Sequence, residues 1–307
     1  FENKRIAIMS YWISIAQILG VAVLVLVAVI GAILLAWYLG FPRTREKERS
    51  DPSALGLPFE QLRIRSVANK QLFAWFLPHE RATQTVVVMH GWGANVELML
   101  PLAAPLYQKG LNVLLFDARN HGSSDGHGYS SMVRFAEDLH HALTWLRSHR
   151  PHQSERIAIM GHSVGAAASI LEVSQRQDVQ ALVAISSFAH PQELMTRYWQ
   201  RLHLPNWLIH YLHIYIQWMI KHRFADMAPV VRIRSVRCPV LLIHGTADEA
   251  IPIDDTRAIF QTAQAAGRDV TLCEIPDAGH ASVEKIETHS DVLSQFLTRA
   301  GFRIHAQ

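Results

Sequence analysis

The chain has 307 residues, 50% of them hydrophobic, and a formal net charge of +3. That length suits one large α/β domain with something added to it, and no basic run is dense enough to point to nucleic acid. Two cysteines, Cys238 and Cys273, form no disulfide framework; each lies in or beside an apolar strand-like run and reads as a buried free thiol.

The first element is apolar: no charged residue falls between Arg5 and Arg43. Within that gap Ile13 to Leu39 exceeds the roughly 20 residues that cross a hydrocarbon core as a helix. Trp12 stands at one end and Trp37-Tyr38 at the other, as in an interfacial aromatic belt. A secretory signal would have a shorter apolar region, about 7–15 residues, and a small-residue cleavage site. Trp37-Tyr38-Leu39-Gly40-Phe41-Pro42 is a poor site of that kind. Residues 1–40 are therefore expected to hold a single-pass membrane helix. Lys4 and Arg5 precede it, and Arg43, Arg45, Lys47 and Arg49 follow; the excess of cations on the second side puts the large domain in the cytoplasm. Residues 41–58, charged and with three prolines, read as a linker.

Gln61 to Ala68 and Gln71 to Leu77 read as an antiparallel hairpin turning near Asn69-Lys70. Thr85 to Met89 is a continuous apolar run, as in a strand buried on both faces, and ends in His90-Gly91-Trp92-Gly93. A helix is expected over 96–108, a strand over 111–116, a turn-rich loop over 117–126 and a helix over 132–147. Further strands are expected over 157–160, 179–186, 239–243 and 270–275, and helices over 255–266 and 290–300. This alternation implies an α/β fold, a mostly parallel sheet with helices on both faces, over 59–190 and 237–307. The stretch 191–236 interrupts it. Rich in apolar and aromatic side chains, it reads as two or three amphipathic helices inserted between strands. They would serve as ordinary core helices, as a cap supplying an apolar pocket over the sheet edge, or as a membrane-contacting surface.

The chemistry centres on Gly161-His162-Ser163-Val164-Gly165, which follows the strand Ile157 to Met160 and runs into Ala166-Ala167-Ala168. Strand, tight turn and helix are the setting in which G-x-S-x-G exposes a nucleophilic serine. A serine hydroxyl needs a base, and the base needs an orienting acid. His280, just past the last strand, is the base; His244 and His289 are weaker candidates. Asp248, a Gly turn beyond a strand, is the acid, with Glu249, Asp254 and Asp255 as competitors. The oxyanion donors are the backbone N–H groups of Trp92 and Val164. His90 would order its loop, and Arg119 and Asp125 would tie loops together near the site. No H-E-x-x-H, C-x-x-C or G-x-x-x-x-G-K-[ST] pattern occurs, so neither a metal nor a cofactor is expected.

With Ser163, Asp248 and His280 in that chain order, the sequence resembles the α/β-hydrolase superfamily. The residues that carry the likeness are Val86 to Gly93, Asp117 to Gly126, Gly161 to Gly165, Leu242 to Asp248 and Ala278 to Ala281. Within the superfamily it looks like the Bem46-like and serine-aminopeptidase-like hydrolases, some of which carry an N-terminal membrane helix. The resemblance implies a cofactor-free hydrolase of small-molecule acyl esters, with peptide or thioester substrates as variants on the same triad. A tethered, non-catalytic binding protein is the other class of function. A dehalogenase or epoxide hydrolase would need a carboxylate where Ser163 stands.

Overall fold

The computed structural model describes residues 2–40, 45–282 and 290–304. They divide into two compact units, Phe1–Arg43 and Thr44–Gln307.

The first unit is a single helix, α1 (Glu2–Gly40). Its length is about 58 Å at 1.5 Å per residue. Trp12, Ile18 and Leu24 lie exposed along it, and none of Tyr11–Gly31 is buried. Among the described residues it is the one helix long and apolar enough to cross a membrane.

The second unit is built on an eight-stranded sheet: β1 (Glu60–Arg65), β2 (Gln71–Leu77), β3 (Gln84–Met89), β4 (Asn112–Phe116), β5 (Arg156–His162), β6 (Ala181–Ile185), β7 (Val240–Gly245) and β8 (Val270–Ile275). Their spatial order is β1-β2-β4-β3-β5-β6-β7-β8. β1 and β2 pair antiparallel, as do β2 and β4, and every other pairing is parallel. The strands β3 to β7 are buried along almost their whole length, which is why their Val, Ile and Leu runs show no polar alternation. Among the described residues the helices are α2 (Leu100–Gln108), α3 (Met132–His149), α4 (Val164–Val173), α5 (Pro191–Arg201), α6 (Asn206–Ile220), α7 (Phe224–Met227), α8 (Pro229–Arg232), α9 (Ile253–Ala265) and α10 (Ser290–Arg299), with α5 to α8 inserted between β6 and β7. From β3 the chain goes to β4 on one side, then returns to β5 on the other. The strand order therefore reverses between β3 and β5, the place where open α/β sheets bind ligands at their carboxyl ends.

The hairpin is shorter than its apolar pattern suggests. β1 stops at Arg65 because residues 66–70 form the turn: Ser66 N–H donates to Lys70 C=O, and Ala68 and Asn69 take positive φ values. α2 starts at Leu100 rather than near 96, after a 3-10 turn over Glu97–Met99. The stretch expected as a linker is packed from Arg45 onward. Glu97 accepts from Arg49 N–H (2.7 Å) and from the Ser50 hydroxyl (3.0 Å), and Leu57 joins the core under the sheet. Both cysteines are free, and half-buried rather than buried.

The insert comprises α5 (Pro191–Arg201), α6 (Asn206–Ile220), α7 (Phe224–Met227) and α8 (Pro229–Arg232). Its inner face is a small core of its own. Trp199 is fully buried with its ring 5.1 Å from that of His213, and Phe224 closes the other side of His213 at 5.8 Å. Arg197 binds Asp255 (2.6 Å), and Arg201 donates to the Glu249 carbonyl (2.9 Å). Those two contacts fasten the insert to the loop and helix that follow β7.

Candidate active site

β5 runs without a break into α4, and Ser163 is the corner. Its backbone takes φ 56° and ψ −120°, a conformation that costs a non-glycine residue about 1–3 kcal/mol and survives only where the surroundings impose it. Two glycines make the corner possible. A Cβ on Gly161 would come within 2.5 Å of the Gly165 carbonyl oxygen, and one on Gly165 within 2.4 Å of the His90 carbonyl oxygen. Ser163 N–H donates to Ile185 C=O on β6 (2.8 Å), which ties the corner into the sheet.

Three strand ends converge on this corner. His280, five residues beyond β8, brings Nε2 to 3.0 Å from Ser163 Oγ and Nδ1 to 2.8 Å from Asp248 Oδ2. Asp248 follows β7. Its Oδ1 accepts from the N–H groups of Ala250 and Ile251, both at 2.9 Å. Burial pushes the Asp248 carboxyl pKa up, but hydrogen bonds from His244, His280 and the Ile251 N–H outweigh it and hold the group well below the usual carboxylate range. An ionised carboxylate at this position requires Nδ1 of His280 to carry its proton, leaving Nε2 free to accept one from Ser163.

Two of the competing carboxylates are engaged elsewhere. Asp254 pairs with Arg257 (3.2 Å) and Asp255 with Arg197. Glu249 is exposed, and its backbone carbonyl accepts from Arg201. His244 lies behind Asp248, with Nε2 3.3 Å from Oδ2 and 2.9 Å from the Ile251 carbonyl, and so supports the acid. His289 lies outside the described residues.

Val164 is the first residue of α4, so its N–H points from a helix N-terminus beside Ser163. The loop carrying Trp92 leaves β3 against the same corner: a Cβ on Gly91 would lie 3.0 Å from Ser163 Cβ. The Trp92 ring stacks on Phe135 at 6.4 Å and meets the His121 ring edge-on at 5.7 Å. His90 holds the loop from inside. Its Nδ1–H donates to Gly91 C=O (2.7 Å) and its Nε2 accepts from Ala118 N–H (3.0 Å). Burial, helped by the nearby His121, lowers the His90 pKa to about 3, which keeps the ring neutral and this tautomer in force. Arg119 binds Asp138 and Glu137, both at 2.7 Å, and so ties its loop to α3, while Asp125 accepts from Gln71 N–H (2.9 Å) and ties the loop to β2.

His162 is a positioning residue that sequence reasoning passed over as the variable second residue of G-x-S-x-G. Its Nε2 donates to the His280 carbonyl (2.9 Å), and the two rings lie 5.1 Å apart. Burial lowers its pKa to about 4, so it stays neutral beside His280.

A cavity of about 620 Å³ opens at Ser163 and His280. Among the described residues its walls come from 50–55, 91–101, 162–163 and 280–281, with Leu55, Leu98 and Leu100 apolar among them, and none from 191–236. The apolar pocket expected from the insert is thus formed by the stretch after α1 and the β3–α2 loop. Among the described residues no group of His, Cys, Asp and Glu is arranged to hold a metal.

Residues 80–228 match the family described as "Serine aminopeptidase, S33". An uncharacterized protein of Mycobacterium tuberculosis, Rv2307c, is 30% identical over 233 residues, covering 74% of this chain and 75% of its own. An uncharacterized membrane protein of Saccharomyces cerevisiae, YNL320W, is 20% identical over 82% of this chain and 84% of its own. The esterase Pf2001 of Pyrococcus furiosus shares the fold, with a TM-score of 0.69 and 24% identity over 83% of this chain and 98% of that one. Sheet order, corner and sequence similarity agree, and the chain belongs to the serine aminopeptidase S33 family of α/β-hydrolases.

Proposed function

We propose that this protein is a membrane-anchored serine hydrolase that cleaves hydrophobic acyl esters through an acyl-enzyme. The observation that carries the reading is the relay from Ser163 Oγ through His280 to Asp248, at 3.0 and 2.8 Å. Ser163 Oγ attacks the ester carbonyl while His280 Nε2 takes its proton. The imidazolium so formed is stabilised by the Asp248 carboxylate. The developing oxyanion takes N–H groups from Val164 and Trp92, each worth about 10²–10³ in kcat. Collapse expels the alcohol, which leaves with the proton on Nε2. A water molecule, deprotonated by the same nitrogen, then attacks the acyl-Ser163 carbonyl and releases the carboxylic acid.

The apolar wall of the cavity favours an acyl chain of hydrocarbon character. A peptidase reading on the same triad is less favoured. An aminopeptidase needs a carboxylate to receive the substrate ammonium. Among the described residues the only carboxylate in the wall is Glu97, already bound to Arg49 N–H and the Ser50 hydroxyl. α1 supports a membrane anchor, and the cations that follow it support a cytoplasmic catalytic domain. The test is to label the full chain with a fluorophosphonate and to assay p-nitrophenyl esters of increasing chain length beside aminoacyl p-nitroanilides. Labelling should vanish in Ser163→Ala, and ester turnover should exceed anilide turnover. Equal labelling of Ser163→Ala would sink the proposal.

A further inference from the structure

α6 is apolar on both sides. Its 15 residues contain no Asp, Glu, Lys or Arg. Ile209, Leu212, Ile216 and Ile220 face the insert's interior and are buried. Trp207, Tyr211, Ile214 and Trp218 are between 50% and 74% exposed. At 3.6 residues per turn the two rows fall on roughly opposite faces, so the outer one is a continuous stripe of large apolar side chains. Tyr198 and Leu202, at the end of α5 and just beyond it, are exposed as well. A helix of a water-soluble domain buries one face and keeps the other polar; this one does not.

The composition of the stripe and its flanks indicates what covers it. Tryptophan and tyrosine are the side chains that settle at a bilayer's headgroup level. Between Glu193 and Asp226 the chain has no carboxylate, while Arg201, Lys221 and Arg223 are exposed around α6. Such a cationic rim about an aromatic stripe suits a surface of anionic phospholipid. At 1.5 Å per residue α6 is about 22 Å long, too short to span, so contact would be along its side. A tether through α1 would keep that surface at high local concentration.

We propose that the outer face of α6 is a bilayer-contact surface that lies in the interface of an anionic phospholipid membrane. The proposal rests on the reading of α1 as a membrane anchor. The full chain, with Cys238→Ser and Cys273→Ser, is reconstituted into vesicles of phosphatidylcholine and phosphatidylglycerol. An environment-sensitive fluorophore is attached in turn through Trp218→Cys, Ile214→Cys and, at an exposed site beside the amino end of β5, Glu155→Cys. Only variants that melt like the wild type are used. The expected result is blue-shifted emission at the two α6 positions, quenched several-fold more by nitroxide-labelled lipid than at the Glu155→Cys position. Vesicles that float with the chain while all three probes report water overturn the contact surface and leave the anchor standing. A blue shift without lipid quenching also overturns it, and assigns the stripe to a second copy of the chain. A chain that fails to float removes the anchor and the contact surface together.

Discussion

Replacing Asp248 by Asn tests the relay at its least exchangeable point. The change is nearly isosteric, and the loop gives the new amide one good orientation. The N–H groups of Ala250 and Ile251 both point at Oδ1, each at 2.9 Å, so the amide oxygen must take that position. The amide NH₂ is then turned toward His280 Nδ1, 2.8 Å away, and a donor there forces Nδ1 to accept. The ring proton moves to Nε2, which faces Ser163 Oγ at 3.0 Å and can no longer receive the serine's proton. Fixing a triad histidine in the wrong tautomer lowers kcat by about 10⁴, or about 5.4 kcal/mol of barrier. The His244 Nε2 beside Oδ2 at 3.3 Å would also meet a donor, which disfavours the variant further without rescuing the base. The assay is single-turnover acylation by a p-nitrophenyl ester, with the rate of fluorophosphonate labelling as a second readout. Asp248→Ala, which leaves His280 free to choose its tautomer, should be no slower than Asp248→Asn. An Asp248→Asn enzyme within tenfold of wild type would refute the assignment of Asp248 as the group that orients His280.

Two further outcomes follow from other parts of the site. Gly165→Ala puts a Cβ 2.4 Å from the His90 carbonyl oxygen, whereas such contacts essentially never fall below 3.0 Å, so β3 and the corner must part by about 0.6 Å. Overpacking of that kind costs about 1–3 kcal/mol, and because the displaced strand carries the Trp92 loop, kcat/KM should drop about 10²-fold as well. Wild-type melting and turnover would contradict the close approach. Glu48 hydrogen-bonds to Asp117, which burial and this neighbouring carboxyl hold well above the usual carboxylate range, while the hydrogen bonds Glu48 receives lower its own pKa against its burial. The folded state therefore keeps the Asp117 proton more tightly than the unfolded chain does. Stability falls as pH rises from about 4 through the raised value; the opposite contribution from Glu48 is complete once pH passes about 4.3. Glu48→Gln supplies an amide donor in place of the shared proton, so its Tm should fall less steeply than wild type as pH rises above about 4. Equal slopes would remove the proton from between these two groups.

The corner at Ser163 was legible because its local sequence must satisfy a steric demand. Only glycine fits where Gly161 and Gly165 approach neighbouring backbone, so the pattern around Ser163 is written in consecutive residues. Asp248 and His280 were legible in another way, since each follows a recognisable strand and the carboxyl ends of parallel strands share one edge of a sheet. The support beneath them was not. His162, His244 and His121 are three of 18 histidines, and nothing adjacent to any of them in sequence shows what its ring will touch.

Residues 41–58 carried charge and proline and so read as a linker, but from Arg45 onward the chain is hydrogen-bonded to the domain and forms a wall of the cavity. In the insert, periodicity marked helices and could not say which face would be covered, because α6 is apolar on both. Sequence by itself determined the apolar first helix, the alternation of strands and helices, and the corner at Ser163, since each depends on neighbours within a few residues. Tertiary structure alone decided which of the histidines and carboxylates meet, where the apolar pocket lies, and that the outer stripe of α6 is uncovered. Those depend on contacts between residues about 30 to 120 positions apart, whose cost in chain entropy is met only when the whole sheet forms.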